Sequence, residues 1–135
     1  MTEAEILETL NTCIASTIGI KKEEITLDSS LIIDLGADSL DLLDLVFSIE
    51  QAFGIEITRG EIEKRSRASI PEEEYEKDGF LTEKAKDALK AQLPEIDPEK
   101  FAGNMRGLDI AKLLTVRVFL RLVKEKLETG HAAGK

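Results

Sequence analysis

The chain has a single cysteine, Cys13, which excludes an internal disulfide and a thiolate metal cage. Tryptophan is absent, and five Phe with one Tyr leave little material for an aromatic-lined sugar or nucleobase site. Basic side chains are outnumbered by acidic ones, 18 to 27, so the formal net charge is −9. Such a field repels nucleic-acid phosphate and anionic membrane surfaces and attracts basic patches on other proteins. No nucleic-acid partner is expected. No apolar run approaches bilayer-spanning length, and the start "MTEAEILETL" lacks the basic head and apolar stretch of a signal peptide. The expectation is a cytoplasmic protein without membrane insertion.

The 42% of hydrophobic residues in a 135-residue chain suffice for one core. A first helix is predicted from Thr2 to Ile18. Thr2 and Glu5 have capping-box spacing, Ile6, Leu10, Cys13, Ile14 and Thr17 recur at helical intervals, and Gly19 ends it. Cys13 on that stripe reads as a small core residue rather than a reactive thiol. Residues 19–38 form a long connection, with Ile20, Ile25, Leu27, Leu31, Ile33 and Leu35 as apolar anchors. A second helix runs from Ser39 to Phe53, and "GIEI" exits it.

Between 58 and 109 the pattern changes to short helices, "TRGEIEKRS", "PEEEYEKD", "LTEKAKDALKAQ" and "DPEKFAG". Pro71, Gly79, Pro94, Pro98, Gly103 and Gly107 punctuate them. A last helix over 115–127 carries Val116, Phe119, Leu120, Val123 and Leu127 on one face, with Thr115 as its N-cap. The tail beyond 128 reads as flexible, with His131 solvated. Apart from the brief "GIEIT", no run alternates with period two, so the fold class is all-α.

The stretch "LGADSLDLL" at 35–43 places Ser39 between two aspartates. Asp38 is a good N-cap, Ser39 then falls at the first helical position, and Asp41 lies in the first turn, where negative charge complements the helix dipole. At 100° per residue, Leu42, Val46, Ile49 and Phe53 form one apolar stripe with Leu45 beside it. Leu40, Leu43 and Phe47 form a second, roughly 100–160° away, bordered by Asp44, Ser48 and Gln51 with Asp41 at the far edge. The first stripe explains folding. The second either packs on the helices of 58–109 or docks another protein.

"DLGADSLDLLDLVFSIEQAFGIEI", residues 34–57, resembles the central segment of acyl carrier proteins, and the likeness extends over residues 2–57 and about 113–127. It implies a helical bundle with a long loop between helices 1 and 2, here with an extra helical insertion at 58–109 before the last helix. Residues 1–128 would be a single carrier domain and 129–135 a tail. The resemblance further implies a 4′-phosphopantetheine arm, transferred from coenzyme A by a phosphopantetheinyl transferase and attached at Ser39. Asp38, Leu40, Asp41, Leu43, Asp44 and Phe47, with Glu50 at the margin, would recognise partners: the transferase, and acyl-chain synthases and acyltransferases with basic docking surfaces. The chain would be a monomer that tethers acyl thioesters for lipid or fatty-acid synthesis and catalyses nothing itself. The enlarged C-terminal half is similar to carriers specialised for the very long acyl groups of lipid A.

Other readings use the same residues. An unmodified helical adaptor would keep the Leu40/Leu43/Phe47 face and drop the arm, and carriers for polyketide or peptide synthesis share the serine motif. A serine enzyme would need a base near Ser39, yet the sole histidine is His131 and no G-x-S-x-G elbow occurs. An EF-hand loop from Asp34 would require glycine at Ser39 and glutamate at Leu45, and one from Asp97 has Ala102 in the glycine place. No metal site is expected.

Overall fold

Glu5 N–H donates to Thr2 Oγ1 at 3.2 Å while Thr2 N–H donates to Glu5 Oε1 at 2.8 Å, a reciprocal box that opens helix α1, Glu3–Ile18. The computed structural model describes residues 2–57, Lys64, Ala68 and 70–129. Gly19 closes α1 with φ 84°, a left-handed cap that glycine adopts without a Cβ penalty. The remaining helices are α2 (Ser39–Phe53), α3 (Glu83–Gln92), α4 (Gly107–Lys112) and α5 (Val116–Thr129). The chain is mostly helical and divides into two compact units, one of residues 1–57 with 114–135 and one of residues 58–113.

In the first unit α1 packs on α2 and on α5. Ile6, Leu10 and Ile14 of α1 meet Leu45, Ile49 and Phe53 of α2 and Val116, Phe119, Leu120 and Val123 of α5, with Leu31 and Ile55 completing the core. Thr115 Oγ1 caps α5 by accepting from Val118 N–H at 3.3 Å. Val118 and Leu122, outside the predicted face of α5, are also buried. Glu3 at the start of α1 pairs with Lys124 of α5 at 2.8 Å, which holds the carboxyl below its usual range and the ammonium above its own.

Cys13 sits half-buried against this core, and burial pushes its thiol above the ordinary range. The folded chain therefore holds the neutral thiol while an unfolded chain ionises first, so stability falls as pH rises past the unfolded thiol's pKa, about 8.5. Alkylation by iodoacetamide at pH 8.5 is expected to be several-fold slower in the folded protein than in urea, measured by intact mass. Equal rates would place the thiol in solvent.

The long connection is tied to α5. Leu31 N–H donates to Leu114 O at 3.1 Å, Val116 N–H to Ser29 O at 3.1 Å and Arg117 N–H to Leu27 O at 2.8 Å, while Arg117 Nε bonds Asp28 Oδ1 at 3.0 Å. These loop carbonyls satisfy amides that the first turn of α5 would otherwise leave open. Ile20, Ile25, Leu27 and Leu35 are half-buried and Leu31 fully so, as anchors should be. Ile33 is not an anchor: 63% of it is exposed. Alternate inward residues at 31, 33 and 35 would require an extended chain. The segment is instead wound into turns, with Asp34 N–H and Leu35 N–H both donating to Ser30 O.

The second unit departs more from expectation. "PEEEYEKD" is not a helix beyond one 3₁₀ turn at Glu72–Glu74. It leads into strand β1, Glu76–Lys77, paired antiparallel with β2, Phe80–Leu81. Asp78 and Gly79 both have positive φ, 56° and 87°, as a two-residue hairpin turn demands. Thr82 then caps α3, accepting from Ala85 N–H at 3.2 Å. "DPEKFAG" holds a 3₁₀ turn at Pro98–Phe101. Gly107 is not a break but the first residue of α4, where Arg106 N–H donates to Asp109 Oδ2 at 2.9 Å. Tyr75, Leu81, Ala85, Leu89, Leu93, Phe101, Met105 and Ile110 are buried here. Lys86 is buried too, its Nζ donating to Gly103 O at 2.7 Å and pairing with Glu83 at 3.0 Å, so its charge is answered. The helix predicted on "TRGEIEKRS" and the tail with His131 lie outside the described residues.

Candidate functional site

The approach to Ser39 is built by hydrogen bonds from the loop side. Ala37 is buried and its N–H donates to Leu31 O at 2.9 Å, which fixes the chain two residues before the serine. Gly36 takes φ 81° with open space where a Cβ would lie, so backbone conformation rather than crowding calls for glycine.

From the helix side, Asp38 is the N-cap: Asp41 N–H donates to Asp38 Oδ1 at 2.8 Å and Asp38 N–H returns to Asp41 Oδ2 at 3.1 Å. Such a cap contributes about 1 kcal/mol. Leu42 N–H bonds Asp38 O at 3.0 Å. The amides of Ser39 and Leu40 have no acceptor among the described residues, and they stand at the positive end of a 15-residue helix. Ser39 is exposed and its hydroxyl likewise has no partner among the described residues.

Along α2 the second stripe stands in solvent: Leu40 is 69%, Phe47 62% and Leu43 38% exposed. Asp44 beside it is exposed, whereas Asp41 is partly buried in its capping role. Glu50 is partly buried and accepts from Ile57 N–H at 2.8 Å, so one of its oxygens is committed to the chain that leaves the helix. Between Lys22 and Arg59 every charged residue is acidic. Ile33 is the exposed apolar residue that sequence reasoning missed, and its neighbours Ser30 and Asp34 were the signal: polar groups with turn-forming side chains on either side.

A hydroxyl in solvent, flanked by two unengaged amides, accommodates a phosphodiester: the oxygen is reachable and the anion meets N–H donors. Residues 8–69 match the family model described as phosphopantetheine attachment site. The chain is 49% identical over 57 residues to an acyl carrier protein of Guillardia theta, covering 42% of this chain and 70% of that one. It is 42% identical over 64 residues to the acyl carrier protein of Petrotoga mobilis, covering 47% of this chain and 75% of the relative. The chain belongs to the acyl carrier protein family, whose members are carriers rather than catalysts. The prosthetic group this implies is a covalently attached 4′-phosphopantetheine. The family match ends at residue 69, so most of the second unit, residues 70–113, lies beyond it.

Proposed function

We propose that the protein is a cytoplasmic, monomeric acyl carrier that bears its 4′-phosphopantetheine on Ser39 Oγ and presents acyl groups to enzymes of lipid or fatty-acid synthesis. The observation that carries this reading is the exposed Ser39 hydroxyl at the first position of α2, beside two open amides. The arm supplies a thiol that takes up acyl groups as thioesters. The chain's own residues do the rest. Ser39 Oγ would hold the phosphodiester, the open Ser39 and Leu40 amides would offer N–H donors to its charge, and the Asp38–Asp41 box fixes where the helix begins.

Leu40, Leu43 and Phe47 supply contact area on those partners, and the acids around them steer basic surfaces. The working test is intact mass after incubation with coenzyme A and a broad-specificity phosphopantetheinyl transferase. The expected result is a gain of one phosphopantetheine. A folded chain that gains nothing would favour an unmodified adaptor using the same face.

Asp44 is the informative charge to reverse, because Asp41 also closes the cap and Glu50 also holds Ile57. Asp44→Lys is expected to raise the transferase KM for the carrier roughly two- to tenfold at low ionic strength. The difference should fade near 1 M salt, where the Debye length is about 3 Å. A KM at low salt equal to the wild type's would remove Asp44 from the interface.

A further inference from the structure

Four large apolar side chains are exposed among the described residues, and all fall within residues 33–47: Ile33, Leu40, Leu43 and Phe47. Three are the α2 stripe. The fourth lies on the other side of Ser39 in the sequence, and among the described residues every other isoleucine is buried or half-buried.

Ile33 is held outward by the wound loop. Its own N–H donates to Ser30 Oγ at 3.1 Å, Ser30 N–H donates to Asp34 Oδ2 at 2.7 Å, and Leu31 is locked in the core. The Leu31–Ala37 hydrogen bond of 2.9 Å then brings the two ends of this loop together. Ile33 is two residues from one end of that bond and Ser39 two residues from the other. Backbone dimensions therefore keep their Cα atoms within about 21 Å. A standard interface covers about 800 Å² per partner, a patch roughly 30 Å across. Their separation is within the width of one such patch.

We propose that Ile33 is a contact residue for the phosphopantetheinyl transferase, seated against an aliphatic spot ringed by basic side chains. This rests on the carrier reading above and deepens it. The transferase fits this surface because it must reach the Ser39 hydroxyl itself, and so covers both the helix side and the loop side of that residue. An enzyme working at the far end of an extended arm has no such need. Charge complementarity sets the chemistry of the rim: Asp34 follows Ile33 in the sequence, Asp38 precedes Ser39, and no basic residue occurs from 23 to 58.

The test is loading kinetics on the full chain, with coenzyme A and a broad-specificity transferase, for the wild type, Ile33→Ser and Ile33→Leu. Ile33→Ser should raise the KM for the carrier roughly five- to tenfold with kcat and melting temperature unchanged, since it removes apolar contact area made on docking. Ile33→Leu should restore the KM to within about twofold of the wild type. A KM for Ile33→Ser within twofold of the wild type, while the wild type loads normally, overturns the assignment and leaves the carrier function standing. A KM rise accompanied by a lowered melting temperature also overturns it, by showing a structural role. A wild-type chain that does not load overturns the carrier reading and this inference together.

Discussion

Ser39→Ala is expected to end loading altogether while leaving the helical circular-dichroism spectrum and the melting temperature within error of the wild type. The two halves of that result have separate causes. Loading depends on one oxygen, and alanine removes it. Stability depends on groups the substitution does not touch: the cap at α2 is made by the Asp38 and Asp41 carboxylates, and the Ser39 hydroxyl has no partner among the described residues. Alanine is also a strong helix former, so an exposed first-turn serine should exchange with it at a cost within about 0.5 kcal/mol. Intact mass after transferase treatment reads the first half, and a thermal melt reads the second. A phosphopantetheine gained by the alanine variant would move the attachment site to another hydroxyl. A collapsed helical signal would mean that Ser39 is needed to build the helix.

Leu45→Ala should unfold the first unit far more readily than the wild type, with a loss of about 2–5 kcal/mol. Its partner in the comparison is Leu40→Ala, five residues earlier on the same helix, which should cost no more than about 0.5 kcal/mol. Leu45 is wholly buried in the core that α2 shares with α1 and α5, and truncating it leaves a cavity that the rest of this core can only partly fill. Leu40 is largely exposed, so its truncation leaves no buried void. Against a typical total of about 5–15 kcal/mol, the first change is a large fraction and the second is lost in the noise. Urea midpoints for the two variants separate them. The order should reverse in loading assays on folded protein, where Leu40→Ala raises the transferase KM and Leu45→Ala, below its melting point, leaves it near the wild-type value. Equal destabilisation by both variants would show that Leu40 is packed in solution.

Both stripes of α2 were legible in advance because a helix face is a local matter: four residues make a turn, and side-chain type alone marks which side meets water. The same locality made the Thr2 and Asp38 boxes and the Thr115 cap readable, since a short polar residue and its target amide are three positions apart. Where the pattern is short or depends on distant chain, it was not readable. The strands Glu76–Lys77 and Phe80–Leu81 have two residues each, too few to show alternation, and only the Asp78-Gly79 pair announced them. Helix α4 has six residues, opens on glycine and is capped without Ser or Thr, so its start looked like a break. Glu50 read as a surface acid because its acceptor role needs Ile57 to fold back, and nothing local requires that. Ile33 was misplaced because its apolar side chain alone marked it as an anchor, when Ser30 winds the loop through bonds to residues three to five positions ahead.

The ties between the serine loop and α5 also set an order in time. Asp28 and Arg117 are 89 residues apart in sequence, and the whole of the second unit is made between them. At a synthesis rate of about 5–20 residues per second, roughly 4–18 s pass after residue 28 is added before its partner exists. During that interval α1 and α2 have no α5 to close their core, and Leu27, Ser29 and Leu31 have none of the amides and carbonyls that later hold them. The contiguous second unit can complete its own core first. The loop that leads into Ser39 therefore takes up its bonds to α5 only once that helix has been made.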